Sequence, residues 1–256
     1  MRTIVVTGSA SGIGRATLRL LEQRGDRVIG VDTHDAEIET DLRTPDGRAT
    51  MIDQVRSRRS TIDGVVANAG VAHRSPDDVA VNFFGTVATL EGLLPLLTRS
   101  RTPRAAATSS MASLLPTDAE LVDRCLAGDE PGALDRAVKL VQAQEHGLIY
   151  SSSKAALCRW LRRTAPGAQW AGAGIPLNAV APGVVETPMV AGMIGTEIQR
   201  AAMAAAVPMP LNGFMRPEVP AHLISWLVGE KNTHLCGQVV FVDGGADAII
   251  RGDSTW

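Results

Sequence analysis

Aromatic side chains are scarce in this chain, at 4% of residues, and Tyr150 is its single tyrosine. Any chemistry that needs a phenol therefore has one candidate. Cysteine is scarce too. Cys125, Cys158 and Cys236 form an odd, scattered set, which excludes a disulfide framework, lacks zinc-site spacing and reads as reduced thiols. No charge of one sign dominates: 25 Lys plus Arg stand against 27 Asp plus Glu, for a net charge of -2. Nothing in that balance would neutralise a nucleic-acid backbone or coat an anionic membrane. The apolar run at Thr3 to Val6 is too short for a signal-peptide core, and no later stretch reads as long and uncharged enough to span a bilayer. The expectation is a protein kept in the cytoplasm, with no nucleic acid and no membrane among its partners.

The 256 residues are 45% hydrophobic and 20% charged, enough apolar material for a sizeable core. A β-branched strand at Thr3 to Val6 leads through a glycine turn into a helix from Ile13 that stops at Gly25, and Arg27 to Asp32 is a second strand. The alternation goes on with a helix near Gly47 to Arg58, a strand at Ile62 to Ala67, a helix near Val79 to Leu97 and a strand at Arg104 to Thr108. The second half adds a helix at Ser151 to Thr164, a strand at Pro176 to Val180, a helix at Glu218 to Val228 and a strand at Gln238 to Val242. Strand followed by helix, repeated, predicts an α/β fold with a doubly wound parallel sheet of the Rossmann type, helices on both faces. With no linker and no repeat, residues 1 to 256 read as one domain.

The turn after the first strand, Thr7-Gly8-Ser9-Ala10-Ser11-Gly12-Ile13-Gly14, puts glycine where a tight bend, a close approach to a pyrophosphate and a close helix-to-strand contact each need it. Asp32 ends the second strand close to where an acidic residue binds the adenosine ribose of NAD, and its carboxylate would repel the 2′-phosphate of NADP. The spacing favours NAD, with a plain turn aspartate as the alternative. Tyr150 and Lys154 stand four apart, on one helical face. A phenol is a poor base at neutral pH unless a cation stabilises its anion, which an ammonium one turn away can do. Taken alone, such a pair is common on helix surfaces.

The pair is not alone. TGSASGIG, Asp32, Asp41-Leu42, Asn68-Ala69-Gly70, Asn82 in VNFFGT, Ser109-Ser110 after a strand, Tyr150-Ser-Ser-Ser-Lys154, Asn178-Ala-Val-Ala-Pro182-Gly183 with Thr187, and the closing VDGG follow one another from residue 3 to residue 245. Together they resemble the short-chain dehydrogenase/reductase family, over nearly the whole chain. The resemblance implies hydride transfer between NAD and a carbon bearing oxygen, in an enzyme that is commonly a dimer or tetramer. It makes Tyr150 the general acid/base, has Lys154 lower the Tyr150 pKa and bind the nicotinamide ribose, puts Ser110 on the substrate oxygen, and has Asn82 hold a relay water. The pyrophosphate falls to Gly8, Ser11, Gly12, Ile13 and Gly14, the adenosine ribose to Asp32, and the adenine to Asp41 and Leu42. Asn68, Ala69 and Gly70 border the cofactor, while Pro182, Gly183, the Val185 backbone and Thr187 lie at its carboxamide end. No metal is implied.

Two features depart from the family pattern. Between Ser110 and Tyr150 the chain is far longer than the usual loop, and residues 117 to 145 read as an inserted helical hairpin. Thr117 to Glu120 supplies a capping box, followed by the stripe Leu121, Val122, Cys125 and Leu126. Pro131 opens a second helix with Leu134, Ala137, Val138 and Val141 on one face. The hairpin precedes the Tyr150 helix, which many family members use for assembly, so the usual interface is expected to be blocked or replaced. Five of the 8 methionines, Met189, Met193, Met203, Met209 and Met215, crowd the segment after Thr187, where the family has a mobile substrate lid. Methionine suits a deformable apolar wall, and the substrate expected is a bulky hydrophobic ketone or secondary alcohol such as a 3α-hydroxysteroid. The alternatives are a 3-oxoacyl thioester reductase and a catalytically silent NAD-binding sensor.

Overall fold

A computed structural model describes residues 1–254. The β-branched and alanine-rich runs form the middle of a sheet. β1 (Thr3–Thr7), β4 (Gly64–Ala67), β5 (Arg104–Thr108) and β6 (Leu177–Pro182) are buried along their whole length, as strands covered on both faces must be. With β2 (Arg27–Asp32), a two-residue β3 (Ile38–Glu39) and β7 (Val239–Val242), they pair in parallel in the order β3-β2-β1-β4-β5-β6-β7. The chain winds from β1 to one edge, then returns to lay β4 on the other side of β1. Loops leaving the ends of β1 and β4 thus diverge, and a crevice opens between them.

Helices close both faces. α1 (Gly12–Gln23) and α9 (Glu218–Leu227) cover one, where Leu21 and Ile224 meet Ile4 and Val6 of β1. On the other, α2 (Pro45–Arg58), α4 (Thr86–Leu97) and α7 (Gly147–Thr164) bring Met51, Leu90 and Leu157 against Val5 and Val65. α4 continues α3 (Asp77–Val79) through a π-helical turn at Ala80–Gly85. The resulting rod, Asp77–Leu97, is long and apolar enough to cross a membrane, so the expectation that no such stretch exists is corrected. Its apolar character has a local cause: 67% of its most apolar window is buried inside the fold.

The insertion is a helical hairpin, with its details shifted from expectation. Asp118, not Thr117, caps α5 (Ala119–Leu126), accepting the Leu121 N–H at 2.7 Å. In α6 (Glu130–Gln142) the buried stripe is Ala133, Ala137 and Leu140, while Val138 and Val141 face outward. Among the ion pairs that fasten the hairpin are Arg136 to Asp118 within it and Arg48 of α2 to Glu130. α5 lies along α7. Three elements were not anticipated: β3, α8 (Glu197–Ala206) and α10 (Ala246–Arg251). α7 begins at Gly147, earlier than the expected Ser151, and carries Tyr150 and Lys154 one turn apart, as the spacing predicts.

Candidate active site

The glycine turn fits its place for steric reasons. Gly8 has φ +68°, and a Cβ there would approach Ala69 Cα to 2.9 Å. Thr7 draws the two loops together, its hydroxyl accepting the N–H groups of Asn68 and Ala69, both at 3.0 Å. Thr108, at the end of β5, donates to Asn68 Oδ1 at 2.9 Å. Three adjacent strand ends are thereby locked together. A Cβ on Gly14 would run into the Gly8 carbonyl oxygen.

These strand ends open onto a cleft of about 650 Å³, a volume suited to a cofactor or a drug-sized ligand. Its walls hold Gly8, Ser11, Gly12, Ile13, Asp32, Asp41, Leu42, Asn68, Ala69, Gly70, Ser110, Tyr150, Lys154, Pro182, Gly183, Val185 and Thr187. Of the catalytic and cofactor-binding residues expected from sequence, only Gly14 and Asn82 do not line it. Gly14 allows the contact between α1 and the turn, and acts behind the wall. Asn82 is fully buried in the π-helical turn. Its side chain accepts the Val71 N–H and donates to the Val71 carbonyl, each at 2.9 Å. The Asn82 carboxamide is therefore engaged with the loop.

Ser109 and Ser110 part company at the end of β5. Ser109 turns inward, 3.0 Å from Cys158 Sγ and donating to the Lys154 carbonyl at 3.3 Å. Ser110 caps the 3-10 turn that follows and faces the phenol of half-buried Tyr150. Lys154 is 3% exposed, and its Nζ donates to the Thr108 carbonyl at 3.0 Å. That Nζ lies 5.8 Å from the centre of the Tyr150 ring. Serine, phenol and ammonium thus share one patch of wall.

Burial dominates the electrostatics of the phenol and the ammonium. Burial pushes the Tyr150 phenol above its ordinary value; the facing Ser110 hydroxyl opposes that shift, and the Asp78 charge adds to it. Burial removes solvent from the Lys154 ammonium and lowers it to about 8, against the opposing pull of Cys158 and Asp78.

The sequence reading missed Asp78, which is fully buried and lines the same cleft. Pro76 followed by two aspartates was a helix-start signal, but the helix was set to begin at Val79. Opposite these residues, Val185 bridges Met215 in parallel: Met215 donates to the Val184 carbonyl at 3.0 Å and Glu186 to the Met215 carbonyl at 2.9 Å. In a parallel bridge the N–H and C=O of Val185 itself then point away from Met215, so they are available to a planar amide. A Cβ on Gly12 would stand 3.0 Å from Thr187 Cγ2, which places the glycine turn directly across from Thr187.

The methionine-rich segment divides. Met189, Met193 and Met203 line the cleft. Met209 and Met215 are buried beneath the segment, with Met209 Sδ accepting the Val184 N–H at 3.2 Å. The lid expectation therefore applies to three of the five, and two are packing residues.

Comparison with known proteins agrees with this geometry. Residues 2–121 match a family model described as short chain dehydrogenase, and residues 134–247 one described as enoyl-(acyl carrier protein) reductase. The chain is 34% identical to a 3-alpha-hydroxysteroid dehydrogenase/carbonyl reductase of Comamonas testosteroni, over 98% of both chains. It is 29% identical to a cis-4-hydroxycyclohexanecarboxylate dehydrogenase of Sinomonas cyclohexanicum, over 97% of each. Among solved structures, the 3-alpha-hydroxysteroid dehydrogenase of Pseudomonas sp. B-0831 complexed with NADH superposes with a TM-score of 0.90 at 41% identity, covering 98% of this chain and 99% of that one. The chain belongs to the short-chain dehydrogenase/reductase family of oxidoreductases.

Proposed function

We propose that the protein binds NAD(H) in this cleft and moves a hydride between it and a bulky hydrophobic secondary alcohol or ketone, a 3α-hydroxysteroid being the leading candidate. The observation that carries the proposal is the meeting of Ser110, Tyr150 and Lys154 in one cleft with the glycine turn and Asp32. The relatives named above support the substrate class.

The residues present fit the cofactor. The α1 N-terminus with Gly8, Ser11, Gly12 and Ile13 suits a pyrophosphate. Asp32 is held ready, accepting the Ala10 N–H at 2.9 Å and the Thr33 N–H at 2.7 Å, and suits ribose hydroxyls better than a phosphate. Arg43, a guanidinium in the same wall, is already paired with Asp41 and Asp77. Asp41 and Leu42 would flank the adenine, and Val185 with Thr187 the carboxamide. When bound, the nicotinamide gives or takes the hydride. Lys154 would hold the adjoining ribose, Ser110 would donate to the substrate oxygen, and Tyr150 would pass a proton to that oxygen or take one from it.

The cytoplasm and a homo-oligomer belong to the same proposal. The insertion occupies α7, so assembly would use another face, and Val219, Trp226 and Ile249 are exposed on α9 and α10. The test is NADH and NADPH oxidation against 3-oxosteroids, bulky cyclic ketones and an acetoacetyl thioester. Turnover of NADH with a steroid or cyclic ketone is expected. Preference for NADPH with the thioester would instead establish a 3-oxoacyl thioester reductase, and tight NADH binding without turnover on any of them a silent sensor.

A further inference from the structure

Two stretches of the cleft wall are held from behind. Just past Gly70, Asn82 holds Val71, and Asp78 accepts the His73 and Arg74 N–H groups at 2.7 and 3.1 Å. The other stretch, residues 41–43, is gripped by a single side chain. Arg48 of α2 is 6% exposed. Its Nε donates to the Leu42 carbonyl at 2.8 Å, and its Nη2 donates to the Arg43 carbonyl at 2.9 Å and reaches the Ala80 carbonyl of the π-helical turn at 3.4 Å. A guanidinium buried this deeply is costly unless its charge is met. Among the described residues one carboxylate meets it: Glu130, whose two oxygens accept from Arg48 at 2.7 and 2.5 Å in a bidentate fork. Glu130 belongs to the inserted hairpin, whose own caps aim it. It is the first residue of α6, where Asp129 accepts the Gly132 N–H at 3.0 Å and is itself held by Arg124 of α5 at 2.9 Å. On the far side of the loop, Leu42 is seated so closely that a Cβ on Gly85 would stand 3.3 Å from its carbonyl oxygen.

We infer that Glu130 and Arg48 are positioning residues for the cofactor: the insertion supplies the carboxylate that keeps Arg48 buried, and Arg48 holds residues 41–43 in the shape that receives the adenine half of NAD(H). This rests on the NAD(H) reading of the cleft and extends it, because it gives the inserted hairpin a part in cofactor affinity. Neither side chain lines the cleft, so their effect on binding passes through the loop. With the carboxylate removed, Arg48 has no counter-charge, its grip on the two carbonyls slackens, and the ligand itself must order the loop as it binds.

The test titrates the full-length protein with three probes: NADH, ADP-ribose, which keeps the adenine half, and reduced nicotinamide mononucleotide, which lacks it. In Glu130→Gln, NADH and ADP-ribose should both bind about 10-fold more weakly while the mononucleotide binds as before. Arg136→Gln breaks the ion pair to Asp118 elsewhere in the hairpin and should leave all three affinities unchanged. If Glu130→Gln does not fold, Arg48→Lys keeps the charge, lacks the fork and should show the same selective loss. Unchanged ADP-ribose affinity in a folded variant, an equal loss for the mononucleotide, or an equal loss in Arg136→Gln would overturn the inference and leave the pair a structural tie. Wild-type protein that binds none of the three probes would instead refute the NAD(H) reading, and the inference would fall with it.

Discussion

The two sides of the cleft are built differently. On one side the wall is the ends of three buried strands, cross-linked by Thr7, Asn68 and Thr108 and continued by a loop pinned from below by Asn82 and Asp78. On the other, residues 187 to 207 lie over the opening, and α8 has no buried residue at all, with Ile198 84% exposed. The first side is over-determined by hydrogen bonds; the second is held at its base by Met209 and Met215. Segments with few buried contacts open at low free energy. The comparison teaches a division of labour in which the fixed side orients cofactor and proton donor, and the loose side admits substrates of differing shape.

Variants on the fixed side should do the most damage. Tyr150→Phe removes the proton carrier and should cut kcat by about 10³-fold while NADH affinity stays within a few-fold, as steady-state kinetics beside a binding titration would show. Gly14→Ala forces a methyl group into the Gly8 carbonyl. It should lower stability by about 3 kcal/mol in a denaturant titration and weaken NADH binding with it, the upper end of overpacking costs.

Lys154→Met runs the other way. The Lys154 ammonium is depressed to about 8 in the folded chain from 10.5, so the folded state disfavours the charged form. That penalty is fully present below pH 8 and disappears as pH rises through the lysine range. At pH 7 the methionine variant should be more stable, on the order of 2 kcal/mol after loss of the Thr108 bond, though inactive. The excess should vanish near pH 11. Equal melting temperatures at pH 7 would contradict the buried-charge assignment.

The smallest effect belongs to the loose side. Met203→Ala should raise KM for a bulky ketone a few-fold, about 1 kcal/mol, with NADH affinity unchanged. If instead it weakened NADH binding as strongly as Gly14→Ala, the two sides would not be separable.

The same contrast decides what could be read from sequence. The fixed side was legible because its constraints are local. A turn that must bend at Gly8, and a tyrosine and lysine one helical turn apart, leave marks within a few residues. The bounds of β5, Arg104–Thr108, follow from the sequence to the residue, a short apolar run buried on both faces. Contacts made across the fold left no such mark. Asp78 looks like any acidic residue at a helix start until the loop it holds is seen folded back over it. The phase of α6 was misread because Val138 and Val141 are as apolar as the alanines that actually face the core. α8 did leave one mark, the capping box of Thr196 and Gln199, but none of its residues is buried, so no apolar stripe points it at the core.

Amide hydrogen exchange tests the division most directly, followed in the protein alone, with NADH, and with NADH plus a bulky ketone or its inert analogue. The amides of His73 and Arg74 should be protected throughout, while those of residues 197 to 206 should exchange fast until the second ligand is added. Equal protection of the two segments in the protein alone, or protection of α8 by NADH without any ketone, would contradict a fixed cofactor wall facing a substrate-selecting lid.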